Sequence, residues 1–260
     1  MRAPDGTAWE ITGEGAPVAL IHGLGLSRRL WDPLLPALSA RHRVLAYDLY
    51  GHGQSAPLPE PASLALYARQ LAGVMNAAGL AKAAVVGFSI GGLINRWFVR
   101  AYPQRCAALV VLNAPHRRSA EAQAAVEGRA RAAAEEGPMA TMDAALERWF
   151  TPGFRAASPA VMETVRAWRA EADPASYAGA ARVLAEGVPA LLAAPPSYVG
   201  PALVMTGEHD SGSTPAMSRA IAAETPDAVC QIVPGLRHLG LLETPAAFTD
   251  PILSVLARPS

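Results

Sequence analysis

Ser89 stands between two glycines in the stretch V-V-G-F-S-I-G-G at residues 85–92. A β-branched run precedes this serine and a helix-like pattern follows it, so we expect a sharp turn from strand to helix. In so tight a turn, a side chain at Gly87 or Gly91 would clash with the adjoining strand or helix. A serine in this position projects its hydroxyl from the carboxyl edge of a parallel sheet. The pattern therefore predicts that Ser89 is a nucleophile.

A serine hydroxyl needs a base to accept its proton, and the base needs an acid to orient it. Two later strand ends offer these groups. Asp210 follows the apolar run at 202–207, and His238 follows the run at 229–234. The sequence therefore predicts a nucleophile, acid and base in the chain order Ser89, Asp210, His238.

Other histidines and acids are alternatives for the base and the acid. His116 has no acid beside it in the sequence, and Asp48 is expected to hold the glycine-containing loop that follows it. For a histidine in such a loop, a structural hydrogen bond to the backbone is the favoured interpretation. For a histidine with polar neighbours in the sequence, a solvated ring is predicted. The alternatives are His22 and His52 in loops, His42 in a polar step, His116, His209, and the acids Asp48 and Glu208.

Two backbone amides near the serine are predicted to stabilise an oxyanion. Ile90 opens the predicted helix, so its amide has no acceptor within that helix. The loop I-H-G-L-G-L at 21–26 ends a strand at the same edge of the sheet. Its Leu24 amide is the predicted second donor, and an ordinary strand-to-helix turn is the alternative interpretation.

The elements that must position these residues alternate between apolar strand patterns and helical patterns. This alternation predicts an α/β protein whose mostly parallel sheet carries helices on both faces. Predicted strands cover 7–12, 17–22, 44–48, 83–88, 108–113, 202–207 and 229–234, and predicted helices cover 31–40, 62–79, 91–102, 215–224 and 245–257.

The alternation stops after the strand at 108–113. Residues 116–198 show alanine-rich helical patterns separated by E-G-P, T-P-G, D-P and A-P-P, without a convincing strand. We therefore expect an all-helical insertion at 116–198, forming a lid over a core built from 1–115 and 199–260. A lid of this kind commonly roofs an active site and selects its substrates.

Composition excludes several classes of function. The 260 residues contain 22 Lys and Arg against 22 Asp and Glu, so no global field attracts nucleic acid or an anionic membrane. No window is apolar enough for a signal sequence or a membrane span. The sequence therefore predicts a soluble, cytoplasmic protein with neither nucleic-acid nor membrane partners. Cys106 and Cys230 occur singly in apolar stretches and are predicted to be buried free thiols.

These features together resemble the α/β-hydrolase family, and the resemblance covers nearly the whole chain. The segment H-G-L-G-L-S-R-R-L-W-D-P-L-L-P-A-L-S-A-R-H-R-V-L-A-Y-D-L-Y-G-H-G-Q-S-A-P at 22–57 looks like the N-terminal region of 3-oxoadipate enol-lactonases. The segment D-A-A-L-E-R-W-F-T-P-G-F-R at 143–155 looks like part of their helical lid. The resemblance implies that Trp149 and Arg148 face the substrate, with the cation matching a free carboxylate. The alternative is that Trp149 and Phe150 only pack the lid.

Three positions depart from the pattern of that family. Tyr50 stands where arginine is usual before the G-H-G-x-S loop, Arg237 stands where glycine usually precedes the histidine, and Ile90 replaces a common methionine. None of these changes removes a reacting group, because an oxyanion amide does not depend on its side chain. Arg237 is expected to alter the loop of His238 or the charge of the cleft.

The resemblance implies acyl transfer to water from a small-molecule ester or lactone, without a metal or organic cofactor. A general carboxylesterase and a carbon–carbon bond hydrolase are alternatives within the same fold. A ligand receptor that keeps the fold without catalysis is the alternative of a different class. The sequence leaves the oligomeric state open between a monomer and a homodimer.

Overall fold

Seven strands form one sheet in a computed structural model that describes residues 1–193 and 198–258. The spatial order is β1-β3-β2-β4-β5-β6-β7, with β1 antiparallel to β3 and the other pairs parallel. The sheet is therefore mostly parallel, as predicted. The strands are β1 (Trp9–Thr12), β2 (Ala16–Ile21), β3 (His42–Tyr47), β4 (Ala83–Phe88), β5 (Cys106–Leu112), β6 (Ala202–Gly207) and β7 (Ala228–Val233).

Helices connect these strands and follow the last one. The predicted helix at 31–40 is wrong before Leu35, where a helix begins with Pro36 in its first turn. Pro33 and Pro36 lack the amides that a continuous helix from residue 31 would need, and a 3₁₀ turn precedes the short helix instead. The helices are α1 (Leu35–Ser39), α2 (Leu64–Ala77), α3 (Ile90–Ala101), α4 (Ala120–Glu136), α5 (Met142–Trp149), α6 (Pro152–Ala157), α7 (Pro159–Ala170), α8 (Pro174–Glu186), α9 (Val188–Leu192), α10 (Pro215–Ala223), α11 (Gly240–Glu243) and α12 (Ala246–Leu256), with 3₁₀ turns at Arg28–Trp31, Pro103–Arg105 and Pro138–Thr141.

None of the helices in the described ranges has both the length and the apolar character needed to cross a bilayer.

The sheet buries both of its faces, and the alternation of side chains along each strand divides the core in two. In β2, Ala19 and Ile21 join the cluster packed by α2 and α3, whereas Val18 and Leu20 join the cluster packed by α1 and α12. Successive side chains of a strand point to opposite faces, which produces this division. Because both faces are covered, the central strands are apolar throughout.

The chain between β5 and β6 folds into α4 to α9, and the described part of this segment contains no strand. Its helices pack on both clusters of the core: α5 and α7 contribute side chains such as Leu146 and Val165 to one, and α8 and α9 contribute Val183 and Leu191 to the other. Residues 194–197, which include the A-P-P sequence of the predicted insertion, lie outside the described residues. The segment therefore spans the carboxyl edge of the sheet from one face to the other.

The two cysteines differ in their environment. Cys106 is buried at the start of β5, and burial, partly offset by neighbouring groups, raises the pKa of its thiol to about 12. Cys230 is free but exposed, so the prediction that it is buried is wrong. The reason is that β7 is an edge strand with half of its residues exposed, and its place at the edge follows from the strand order.

Candidate active site

Ser89 occupies the turn between β4 and α3 with φ of 57° and ψ of −116°. A positive φ is costly for a residue with a side chain, and such strain is often found at functional sites. A Cβ on Gly87 would lie 2.1 Å from the carbonyl oxygen of Gly91, and one on Gly91 would lie 2.4 Å from that of Ile21. The predicted need for glycine at both positions is confirmed.

Asp210 lies in the loop after β6, and side chains and backbone amides both contact its buried carboxylate. Its Oδ2 lies 2.7 Å from Nδ1 of His238 and accepts a hydrogen bond of 2.9 Å from the Asn113 side chain. Its Oδ1 accepts hydrogen bonds from the amides of Gly212 and Ser213, at 3.0 and 2.9 Å. The carboxylate is therefore fixed in position by the backbone as well as by side chains.

Electrostatics keep this carboxylate ionised. Complete burial acts to raise the pKa of Asp210, but the charge and hydrogen bond of His238, with hydrogen bonds from Asn113 and Ser213, outweigh it, and the pKa is lowered. Because an ionised carboxylate only accepts, Nδ1 of His238 must carry the proton that is shared with Asp210. The other ring nitrogen, Nε2, is then the basic one.

The serine, histidine and aspartate line a single pocket that lies between the sheet edge and the inserted helices. Parallel strands place their carboxyl ends at the same edge, and such edges are where open α/β sheets bind ligands. Residues of the core side include Gly23, Leu24, Phe88, Ser89, Asp210 and His238, and residues of the inserted helices and their flanks include Arg118, Arg129, Arg148, Trp149, Arg169 and Tyr177.

The two amides predicted as oxyanion donors lie in the elements expected to hold them. Leu24 lines the pocket in the loop after β2, next to Gly23. Ile90 is the first residue of α3, and its side chain is buried in the core, which leaves only its backbone for chemistry beside Ser89. Amides at the first turn of a helix are free to donate to an anion.

Aromatic rings contact the imidazole of His238 from the core and from the insertion. The Phe88 ring is centred 5.0 Å from it and the Trp149 ring 6.2 Å from it. Trp149 and Arg148 both line the pocket. Phe150, in contrast, is fully buried and stacks on Phe154 at 5.6 Å, so it packs the lid.

Two loop histidines have the structural roles predicted for them. Nδ1 of His22 lies 2.7 Å from the carbonyl oxygen of Gly23, and its Nε2 accepts a hydrogen bond of 2.9 Å from the Leu49 amide. Burial, together with His52, lowers the pKa of His22 to about 3. Nδ1 of His52 lies 3.0 Å from the carbonyl oxygen of Tyr50. Both rings therefore brace the loops beneath the pocket.

Asp48 holds the loop that follows it, as predicted. Its Oδ1 accepts from the Arg28 amide at 2.7 Å and its Oδ2 from the Gln54 amide at 3.0 Å. His116, which has no acid beside it in the sequence, has one beside it in the structure, where its Nε2 lies 2.9 Å from Oε1 of Glu224. These two residues are far apart in the sequence, so only tertiary structure brings them together.

The remaining alternatives are excluded from the pocket by their position. His209 and Glu208 have side chains that are 60% and 52% exposed, whereas the adjacent Asp210 is buried. His42 was expected to be solvated, and this prediction is wrong: the ring is buried. The reason is that β3 begins at His42, two residues earlier than predicted, which makes it a sheet residue.

The two side-chain departures from the family pattern both form contacts outside the pocket. Arg237 donates to the carbonyl oxygens of Glu147 and Phe150, the latter at 3.3 Å. These carbonyls lie at the C-terminal end of α5, where a cation is favourable. Arg237 thus links the loop of His238 to the end of α5, and it does not line the pocket. The Tyr50 hydroxyl donates to Asp5 at 2.8 Å.

Sequence reasoning missed several residues of this site. Asn113, which orients Asp210, immediately follows β5, and the same strand-end argument that found Asp210 applies to it. The lid residues Arg118, Arg129, Arg169 and Tyr177 also line the pocket. Arg118 lies in the loop before α4, and the other three lie in helices α4, α7 and α8. Because arginines in such alanine-rich stretches ordinarily indicate a solvated face, no sequence signal distinguished these residues.

Across residues 1–193 and 198–258, no group of three or more histidine, cysteine, aspartate or glutamate side chains is arranged to hold a metal ion.

Comparison with known proteins identifies the class. Residues 16–245 match the family of the alpha/beta hydrolase fold, and the chain therefore belongs to the α/β-hydrolase family. The predicted fold class and the predicted resemblance are confirmed.

Three individual proteins sharpen this placement. The chain is 29% identical to an (E)-2-((N-methylformamido)methylene)succinate hydrolase of Acinetobacter baylyi, over 90% of this chain and 87% of that protein. It is 27% identical to 3-oxoadipate enol-lactonase 2 of the same organism, over 95% of this chain and 91% of the relative. A thermophilic esterase from Thermogutta terrifontis, solved with malate bound, superimposes with a TM-score of 0.86 at 31% identity, covering 96% of this chain and 92% of the esterase. Family and relatives together support hydrolase activity.

Proposed function

We propose that this protein hydrolyses a small-molecule carboxylic ester or lactone through an acyl-enzyme intermediate on Ser89. The observation that carries the proposal is the 2.7 Å contact between Asp210 and His238 in the pocket that also contains the strained Ser89. The names of two relatives, an enol-lactonase and an esterase, support the choice of ester and lactone bonds.

In the first half of the proposed reaction, Nε2 of His238 accepts the proton of the Ser89 hydroxyl. The serine oxygen attacks the carbonyl carbon, and the carbonyl oxygen becomes an oxyanion that accepts from the Leu24 and Ile90 amides. Asp210 stabilises the imidazolium that forms. Donors that are in place before the charge develops need no reorganisation. Stabilisation of an oxyanion by such donors is usually the largest single contribution to catalysis.

In the second half, His238 gives its proton to the leaving alkoxide as the carbon–oxygen bond breaks. For a lactone, that alkoxide or enolate remains tethered to the acyl group. His238 then accepts a proton from water, the resulting hydroxide attacks the acyl-enzyme, and the released serine oxygen recovers its proton. The products are a carboxylic acid and an alcohol or, for an enol ester, its ketone tautomer.

A direct test compares three substrates on the wild-type protein: p-nitrophenyl acetate, an enol-lactone and a ring-cleavage dienone, with Ser89→Ala as the blank. Hydrolysis of the first two that disappears in the blank supports the proposal. Cleavage of the dienone alone assigns a carbon–carbon bond hydrolase instead. Activity that survives in Ser89→Ala, or no turnover of any of the three, contradicts the proposal.

A further inference from the structure

The inserted segment brings four arginines to the pocket wall: Arg118, Arg129, Arg148 and Arg169. Among the described residues that line this pocket, Asp210 has the single carboxylate, and that carboxylate is paired with His238. The wall opposite Ser89 therefore carries positive charge that no acid of the pocket neutralises.

Two of these arginines are anchored by neutral groups of the lid. Arg169 is buried, and it donates to the carbonyl oxygen of Pro138 at 2.6 Å and to the Thr141 hydroxyl at 2.7 Å. Arg118 donates to the carbonyl oxygen of Leu184 at 3.1 Å. Neutral acceptors satisfy the N–H groups but leave both charges in place.

Arg129 and Arg148 are different, because in the part of the chain that the structure describes neither has a hydrogen bond or an ion pair. Both are half-buried. Burial lowers the pKa of both side chains, and the charges of Arg129 and Arg169 lower that of Arg148 further. A partly desolvated guanidinium without a partner loses some hydration that nothing replaces, and an anion placed against it offsets that cost.

Tyr177 lies at the centre of this group. The guanidinium carbon of Arg169 lies 5.0 Å from the centre of its ring, and Arg129, Arg148 and Arg169 all act on its phenol electrostatically. Arg129, Arg148 and Arg169 therefore form a patch beside Tyr177. Two unpaired guanidinium groups on that patch offer two sites for bidentate binding, each matching one carboxylate.

We propose that the substrate of this pocket carries two carboxylates besides the bond to be cleaved, and that Arg129 and Arg148 bind them. The inference rests on the proposed function, since it names the substrate class of the same site. A single carboxylate would pair with one free guanidinium and leave the other half-buried without a partner. A dicarboxylate neutralises both, while Arg118 and Arg169 add to its electrostatic attraction.

The test measures binding separately from catalysis, by titration calorimetry on Ser89→Ala. The probes are linear diacids of four to six carbons, monoacids of equal length, and inorganic phosphate. We expect the diacids to bind at least tenfold more tightly than the monoacids, and Arg129→Gln or Arg148→Gln to weaken diacid binding by roughly tenfold or more, as loss of a charged hydrogen bond does. Arg148→Lys should retain part of the affinity, because lysine keeps the positive charge but lacks the planar guanidinium that binds a carboxylate through two parallel hydrogen bonds.

Arg131→Gln is the matched control, because Arg131 stands on the same helix as Arg129 but is exposed and outside the pocket. It should bind the diacids as Ser89→Ala does. Equal affinity for monoacids and diacids, no diacid binding, tighter binding of phosphate, or an equal effect of Arg131→Gln and Arg129→Gln would each overturn the proposal. Circular dichroism confirms that each variant is folded.

Failure of the proposed function is read from a different experiment. Wild-type hydrolysis of p-nitrophenyl acetate, a neutral ester, reports on Ser89 without involving a carboxylate of the substrate. If hydrolysis is seen and the diacids do not bind, the serine chemistry stands and the dicarboxylate inference fails. If the diacids bind and no ester or lactone is hydrolysed, the pocket is a dicarboxylate site and the proposed function fails.

Discussion

The two walls of the pocket are built in opposite ways. On the sheet side, backbone geometry fixes each group: Ser89 is held by its turn, and the Asp210 carboxylate accepts from two backbone amides. On the side of the inserted segment, the groups are long arginines, three on helices and Arg118 in the loop before α4. Arg129 and Arg148 lack fixed partners within the described ranges. We infer that, under the proposed function, the groups of the sheet side, here called the rigid wall, cleave the bond. The arginines of the inserted segment, here called the adaptable wall, select the substrate.

Removing the groups of the rigid wall should have the largest effect. Ser89→Ala and His238→Gln are each expected to lower kcat for p-nitrophenyl acetate by roughly 10⁴ to 10⁶, because the groups act as a unit. His209→Gln is the matched control, with an exposed side chain outside the pocket. Initial rates with each variant measure the effect, and a loss below tenfold in His238→Gln would remove the histidine from the mechanism.

Asp210→Asn should be the next largest change. The amide can present a donor to Nδ1 of His238 and thereby favour the wrong tautomer, so kcat should fall by about 10⁴ while the fold is kept. Asn113→Ala removes one hydrogen bond to the same carboxylate and should cost far less. Similar losses in the two variants would show that the site tolerates no local change, contrary to a specific role for Asp210.

The same aspartate predicts a pH dependence of stability. Its pKa in the folded state is below the ordinary value of 3.8, so its ionised form stabilises the fold above that value. This stabilisation is lost as the pH falls below 3.8 towards the folded pKa. Urea unfolding of wild type and Asp210→Asn at pH 7, 5, 4 and 3 should show the wild-type advantage shrinking only at the acid end. If the stability difference between wild type and Asp210→Asn grew on acidification, the predicted pH dependence would be contradicted.

Glycine substitutions extend the comparison to the backbone. In Gly87→Ala the new Cβ would meet a carbonyl oxygen at 2.1 Å, so we expect a loss of about 1–3 kcal/mol in the free energy of unfolding. In Gly128→Ala on helix α4 the new Cβ would meet only the end of the Arg131 side chain, at 3.8 Å, and we expect a gain of about 0.5–1 kcal/mol. Denaturant melts measure both, and effects of the same sign would remove the distinction between the walls.

The contact between the walls should have the smallest effect. Arg237→Gln removes the hydrogen bonds that link the loop of His238 to the carbonyls at the end of α5. We expect a loss of about 1 kcal/mol in stability, as for ordinary hydrogen bonds. Arg219→Gln, at an exposed position outside the pocket, is the control. If the two variants unfold alike, Arg237 does not fasten the lid.

Much of the rigid wall was predictable because its chemistry is tied to local backbone. Ser89 is marked by flanking glycines, and Asp210 and His238 by their positions after apolar strands; all three lie at one edge because the strands are parallel. Asn113 also directly follows an apolar strand, β5, but it was not identified from the sequence. Gly87 and Gly91 were also correctly interpreted, since their environment is the turn itself.

The remaining features depend on contacts between distant segments. The local sequence of Cys230 predicts a buried strand residue. The residue is exposed because β7 lies at the edge of the sheet, which only the strand order shows. His116 acquires Glu224 only through the packing of the loop after β5 beside the end of α10. For Arg129 and Arg148, the packing of the inserted helices decides whether a guanidinium faces water or the pocket. The local sequence around an arginine does not distinguish these two outcomes.

The central claim is that Ser89 becomes acylated, and mass spectrometry of the quenched enzyme tests it most directly. The protein is mixed with excess p-nitrophenyl acetate, stopped with acid within milliseconds to seconds, and digested. We predict an added acetyl group on the peptide containing Ser89 that appears during turnover and is absent from Ser89→Ala. Turnover without that adduct, or an adduct on another residue that persists in Ser89→Ala, would contradict the account.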